Sequence, residues 1–301
     1  MKKAYVFVLI TAFLFATMEV SCKIGAETLD PFQLTFVRFV IGGLLLLPFA
    51  MAHLKRNDIR LTARDHLTLL GVGVLGVTIS MSLFQLAIVL CNASTVSVLF
   101  CVNPFFTMVF AHFMTSEKLN RHKAVVLAFA IVGVVFMVRP WDVQDGNSVF
   151  GIVCIILAAL VFGLYTVAGK VSQEKMGLMA QTSISFIYGS AVLLVFLLVS
   201  GKPVVYGLTD NVWIVIYTGI FVTGIGYYCY FKAIELADAA TGSFAFFIKP
   251  VIAPIIAMIV LKETILWNSV VGIILIVIAS AINLFFGKIR HNGDNDEQIK
   301  G

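Results

Sequence analysis

Residues 87–95 read Ala87-Ile88-Val89-Leu90-Cys91-Asn92-Ala93-Ser94-Thr95, with Pro104 nine positions on. Residues 233–241 read Ala233-Ile234-Glu235-Leu236-Ala237-Asp238-Ala239-Ala240-Thr241, with Pro250 at the same distance. A shift of 146 residues lays 87–104 on 233–250 with eight identities in eighteen positions: Ala87/Ala233, Ile88/Ile234, Leu90/Leu236, Ala93/Ala239, Thr95/Thr241, Ser97/Ser243, Phe100/Phe246 and Pro104/Pro250. The same shift carries Glu117 onto Glu263. Near the start, a shift of 147 lays Ala12, Phe15 and Lys23 on Ala159, Phe162 and Lys170. An offset held this long marks a duplication, so the fold follows from what one unit is.

Composition says where that unit lives. Of 301 residues, 60% are apolar and 12% charged, with mean hydropathy +1.01. Soluble domains are nearer half apolar and a quarter charged. So few charges cannot cover a water-soluble particle of this size, which excludes a soluble enzyme, a disordered chain and a disulfide scaffold. Ten spans of about 20 residues leave only loops and tails.

The apolar runs are 4–22, 32–51, 66–88, 94–113, 123–138, 149–170, 181–200, 211–232, 239–262 and 267–286. The first follows Lys2 and Lys3 but lacks a small-residue cleavage site, so it reads as a retained helix. Very short connections near Asn92 and at 236–238 predict tight antiparallel hairpins. Each unit holds five helices, an odd number, so the second unit enters the membrane inverted. The predicted fold is all-α and integral to the membrane: ten transmembrane helices as two inverted five-helix repeats, 1–138 and 149–286, with a polar tail over 287–301. Inverted repeats are a common design of secondary transporters, with the substrate site near the midplane.

With a cytoplasmic N-terminus, fourteen Lys and Arg fall inside and four (Lys23, Arg139, Lys202, Lys262) outside, a decisive positive-inside bias. Both termini are expected in the cytoplasm. Cys22, Cys91, Cys101, Cys154 and Cys229 form no C-x-x-C pair and read as packing residues. No Walker A loop, H-E-x-x-H or histidine–cysteine cluster occurs, so no nucleotide, cofactor, metal or nucleic-acid partner is expected, and no enzyme.

The paired stretches at 87–95 and 233–241, with Pro104, Pro250, Glu117 and Glu263, and the early Arg38-Phe39, resemble the drug/metabolite transporter superfamily, EamA type. The resemblance covers about residues 4–286. The chain departs from many such relatives at Ala16-Thr17-Met18-Glu19, where they carry a Trp-Gly-Ser-like stretch. The resemblance implies a bacterial plasma-membrane carrier working by alternating access, efflux before uptake, of small metabolites such as amino acids. Uptake, export of amphipathic compounds, a membrane-embedded enzyme and a non-transporting scaffold are the alternatives.

Ionisable residues inside spans are the sharpest site signals, since each costs about 2.5–3.5 kcal/mol to insert. Lys249 lies ten residues into its helix, about 15 Å deep, followed by Pro250 and Pro254. Pro250 lacks the N–H that would serve the Phe246 carbonyl. Its mate in the first unit is Asn103, followed by Pro104; Pro104, Pro250 and Pro254 are the expected helix breaks. Lys249 and Asn103 are expected to face one cavity, with Lys249 binding a carboxylate or exchanging a proton. A lysine paired only for packing is the plainer reading. Glu19 and Arg38 have matching expected depths, which suits a salt bridge or a proton-coupling carboxylate tuned by arginine. Gln85, Ser97, Ser243 and Tyr230 are further substrate-binding candidates on the repeat-related segments. Lys232 and Glu235 sit at pairing distance on a helix. Lys249 favours a carboxylate-bearing solute; substrate identity and oligomeric state are not encoded legibly.

Overall fold

The computed structural model describes residues 2–115, 121–138, 146–236, 239–279 and 281–282, and these are all-helical, with no strand among them. Among the described residues seven helices are long and apolar enough to cross a membrane: α1 (Lys3–Gly25), α2 (Pro31–Arg56), α3 (Ala63–Leu90), α4 (Ala93–Met114), α6 (Val149–Met176), α7 (Leu178–Val199) and α8 (Val212–Leu236). Three more carry shorter apolar stretches: α5 (Arg121–Val138), α9 (Ala239–Val260) and α10 (Trp267–Ala279). The expected hairpin at 236–238, Glu117 and the tail 287–301 fall wholly or partly outside the described residues.

Local chemistry sets the helix ends. Asp30 caps α2, accepting from the Phe32 and Gln33 amides at 2.9 and 3.4 Å, with Pro31 in the first turn. Thr62 and Asp65 form a capping box on α3: the Thr62 amide donates to Asp65 at 2.7 Å and the Asp65 amide to Thr62 Oγ1 at 3.3 Å. Helix α2 ends where Asp58 turns left-handed (φ 48°), and the Ile59 amide returns to the Leu54 carbonyl at 2.9 Å.

Three helices depart from the regular spans expected of them. Helix α1 bends at Thr17, whose hydroxyl donates to the Leu14 carbonyl at 2.9 Å and meets the Tyr217 hydroxyl at 2.6 Å. Helices α3 and α8 each widen to π geometry, over Val74–Met81 and Tyr217–Ile225. Under the 146-residue shift these two segments overlap. In α8 the Thr223 hydroxyl donates to the Thr218 carbonyl five residues back, at 2.7 Å. In α3 the Thr78 and Ser80 hydroxyls serve carbonyls of neighbouring helices, Gly189 and Ala158, each at 2.8 Å. Widened turns free carbonyls, and these hydroxyl bonds accompany them.

Packing follows a regular scheme. Helix α1 lies along α8 and α9, and α6 lies along α3 and α4. Helix α2 packs on α7 and on the π segment of α8, and α7 on α3. The first turns of α4 pack on α9. Helices α3 and α7 touch backbone to backbone: a Cβ on Gly189 would stand 2.3 Å from the Gly73 carbonyl oxygen. Helices α5 and α10 do the same, a Cβ on Gly272 standing 2.8 Å from the Gly133 carbonyl oxygen. Small residues permit this approach, on which membrane helix association depends.

One end of the bundle is tied shut, where α1 and α3 finish and α4 and α6 begin. The Ser148 amide donates to the Leu90 carbonyl at 3.0 Å, and the Asn92 amide to Asn147 Oδ1 at 3.0 Å. Lys23 donates to the Cys91 carbonyl. Glu263, just past α9, accepts from the Ala93 amide at 2.7 Å, the Ser94 amide at 3.0 Å and the Ser94 hydroxyl at 2.7 Å. A carboxylate on a helix N-terminus satisfies free amides and meets the positive end of the dipole. At the opposite end two cavities of about 600 Å³ open beside the C-terminus of α2.

Candidate functional site

The charged residues inside the bundle converge from α1, α2 and α9. Lys249 Nζ stands 2.6 Å from Glu19 Oε1, and both side chains are buried, at 3% and 1% exposure. The contact is an ion pair at hydrogen-bond distance, and Glu19 Oε2 has no hydrogen-bond partner among the described residues. The ammonium also lies 5.7 Å from the Phe100 ring centre and 5.9 Å from that of Phe84. These two rings meet edge to face at 4.8 Å. A cation over aromatic faces gains further attraction when dry.

The structure does not pair Glu19 with Arg38. The observed ends keep the two at matching depth, Glu19 six residues before Gly25 and Arg38 seven after Pro31, so depth alone did not select the partner. Lys249 then offers a flexible ammonium from the next helix. The Arg38 guanidinium sits over the Phe39 ring at 4.5 Å. Its Nη atoms face the Met18 and Met81 sulfurs at 3.3 and 3.6 Å, and thioethers are weak acceptors. Arg38 is 1% exposed and its Nε is unsatisfied. Glu19, Lys249 and Arg38 together therefore leave one buried positive charge in excess.

Asn103 and Lys249 are not brought together by a hydrogen bond. Asn103 Nδ2 instead donates at 2.8 Å to the Phe100 carbonyl. That is the acceptor which Pro104, lacking an N–H, leaves unserved. Helix α4 breaks there, into Ala93–Phe100 and Asn103–Met114. Pro250 and Pro254 were expected to break α9 in the same way. Helix α9 instead runs through both, as membrane helices packed among neighbours can.

Gln85 donates to the Cys22 carbonyl at 3.3 Å, one turn beyond Glu19, while its Oε1 is unsatisfied. Ser97 is buried with an unsatisfied hydroxyl, and so is Ser82. Tyr230 is half-buried against Phe246, ring centres 5.5 Å apart. The side chain of Ser243 lies outside the described residues. Lys232 and Glu235 pair at 2.7 Å away from this centre. Buried polar atoms in folded proteins are normally bonded, and these orphans are partners that the described residues leave unserved.

Two features escaped the sequence reading. The Glu19–Lys249 pair joins residues 230 apart, and the only sign of it was that each is charged inside a span. Glu263, at a helix end, reads from the sequence as an interface anchor that hydrogen-bonds a loop; that its partner is the start of α4 depends on tertiary approach alone.

A family model described as the EamA-like transporter family matches residues 2–139 and again 149–285. An uncharacterized transporter of Clostridium kluyveri is 40% identical over 290 residues, covering 94% of this chain and 93% of its own length. The uncharacterized transporter YoaV of Bacillus subtilis is 25% identical, covering 88% and 91%. An S-adenosylmethionine uptake transporter of Rickettsia prowazekii is 23% identical, covering 93% and 92%. A solved crystal structure superposes with a TM-score of 0.65 at 17% identity, covering 95% of this chain and 98% of the other, a likeness of fold.

Proposed function

Because the chain belongs to the EamA-like transporter family, a family of multi-pass membrane proteins, we propose that it is a secondary carrier of a small carboxylate-bearing metabolite, working by alternating access in the plasma membrane. The observation that carries this reading is the dry Glu19–Lys249 pair with Arg38 beside it. Three charges are costly inside a membrane, and intramembrane ionisable groups commonly mark substrate or ion pathways. Their excess positive charge suits an anionic group on the solute. Orphaned atoms of Glu19, Arg38, Ser82, Gln85 and Ser97 offer further bonds.

The finer architecture is read as ten spans in two inverted repeats. It is supported by the two successive family matches, by the overlapping π segments of α3 and α8, and by the reciprocal packing of α1 on α8/α9 and α6 on α3/α4. In this reading the tied end faces outward and the cavities face the cytoplasm with both termini. Accessibility of single cysteines introduced in the loops tests it; termini on opposite faces would overturn the inverted topology.

Amino-acid-like solutes remain the first choice of cargo, with export the first direction. S-adenosylmethionine carries an α-amino acid group, so the Rickettsia relative's name fits this cargo class while favouring uptake as the second reading. Glu19 is the proposed proton-coupling carboxylate. The test compares metabolites inside and outside cells producing the wild type, Lys249→Gln or Glu19→Gln at equal membrane levels. A solute moved by the wild type alone supports the reading. Equal transport by Lys249→Gln would remove Lys249 from the pathway. Proton coupling predicts that an imposed pH gradient drives the solute across wild-type vesicles and not across Glu19→Gln vesicles.

A further inference from the structure

Away from the charged centre, a cavity of about 610 Å³ runs along the outside of the bundle between α2 and α7. Its walls have a simple order. On α2, Leu47, Met51 and Lys55 lie at successive intervals of four, on one helix face. On α7, Ile184, Ile187 and Tyr188 face them. The cavity is apolar along its length and basic at one rim. Leu47 to Lys55 spans about 12 Å of helix, close to the depth of one leaflet, half of a roughly 30 Å core.

The rim is built from the α2–α3 connection. The Schellman-type turn at Asp58 folds Ile59 and Leu61 back over the cavity's end, where Lys55 lines it; Arg56 next to it in the chain lines the second cavity, and Arg64 opens helix α3. All three cations are exposed, and no carboxylate among the described residues lies within ion-pair distance of any of them. Nearby, the Tyr188 hydroxyl and His66 Nδ1 stand 2.8 Å apart, which adds a polar edge. The two carboxylates of this rim are already engaged, Asp65 by Lys175 and Asp58 by Arg60 at 4.0 Å.

An apolar slot one leaflet deep with an uncompensated lysine at its mouth has the profile of a lipid whose headgroup is negative. We propose that this groove binds an anionic phospholipid. One acyl chain lies along Leu47, Met51, Ile184 and Ile187, and the phosphodiester rests at Lys55. In the orientation proposed above, Lys55 belongs to the cytoplasmic leaflet, whose surface is itself anionic and supplies such lipids. The assignment is independent of the transported solute.

Native mass spectrometry of the full chain, released from micelles with equal phosphatidylglycerol and phosphatidylcholine, tests it. The wild type is expected to retain phosphatidylglycerol at least about fivefold over phosphatidylcholine, the factor that one headgroup-level cation supplies. Lys55→Gln should reduce that ratio about fivefold. Met51→Trp, at a side chain that is 54% exposed, should fill the slot and reduce retention of both lipids. Equal retention by the wild type would overturn the proposal. So would a preference that neither substitution changes, since the basic face as a whole would then be responsible. Displacement by glycerol phosphate at the concentration at which phosphatidylglycerol competes would show a free phosphate site and overturn the lipid groove.

Discussion

Asn103–Pro104 in α4 and Lys249–Pro250 in α9 occupy the same register of their two halves, and each proline leaves a carbonyl four residues earlier without its donor. In α4 the preceding side chain solves the problem at home: the Asn103 amide bonds the Phe100 carbonyl at 2.8 Å, and the helix breaks around it. In α9 the corresponding side chain is an ammonium drawn across to α1 and Glu19 at 2.6 Å, and the helix runs on. A duplicated motif has thus become a local clasp in one half and a tie between helices in the other. The clasp stabilises one helix. The tie links two helices by charges that cost free energy if left apart, the property a moving carrier can use.

The largest effect should come from breaking the tie. Lys249→Gln strands a buried carboxylate, with an expected loss of about 3–5 kcal/mol, read from unfolding in detergent, together with loss of transport. The double substitution Glu19→Gln/Lys249→Gln should recover most of the stability and none of the transport. A single substitution as stable as wild type would show that Glu19 finds solvent or another cation.

Next comes the clasp. Asn103→Leu leaves the Phe100 carbonyl unserved, at a cost of about 1–3 kcal/mol, and should reduce transport far less than Lys249→Gln. Adding Pro104→Ala supplies a backbone N–H to that same carbonyl, so the pair should be less destabilising than the sum of its parts. Strict additivity would refute the shared acceptor.

Smaller again is the link at the far ends of the same two helices. Glu263→Gln keeps the shape of the cap on α4 but removes its charge, with an expected cost of about 1 kcal/mol. If that end opens during transport, the substitution should raise labelling of a cysteine placed at Asn92. Pro250→Ala should have the least effect, within about 1 kcal/mol of wild type, because α9 is already continuous through that position.

The helical membrane fold was legible because it rests on counting. Apolar runs separated by polar turns leave the backbone no other way to satisfy itself in lipid. The caps at Asp30 and Thr62 obey local rules of the same kind. Residues with a long-range role were legible only as types. Glu19, Arg38 and Lys249 stood out as charges out of place, yet their partners did not, because spacing along the chain carries no distance between helices. Depth counted from helix ends suggested Glu19 with Arg38. The two do share that depth, and the lysine stem reaching in from α9 placed Glu19 with Lys249 instead.

The π segments mark the same boundary. Gly73 and Gly219 coincide under the 146-residue shift, so the relation between α3 and α8 was already in the chain. That both helices widen just there, against α7 and α2 respectively, depends on the close approach of their neighbours. Hydropathy and duplication belong to the sequence because each is a property of the chain in its solvent. Which charge meets which, which proline breaks its helix and which carboxylate caps a distant amide are settled by packing. Those energies exist only once helices far apart in the chain lie a few ångströms from one another.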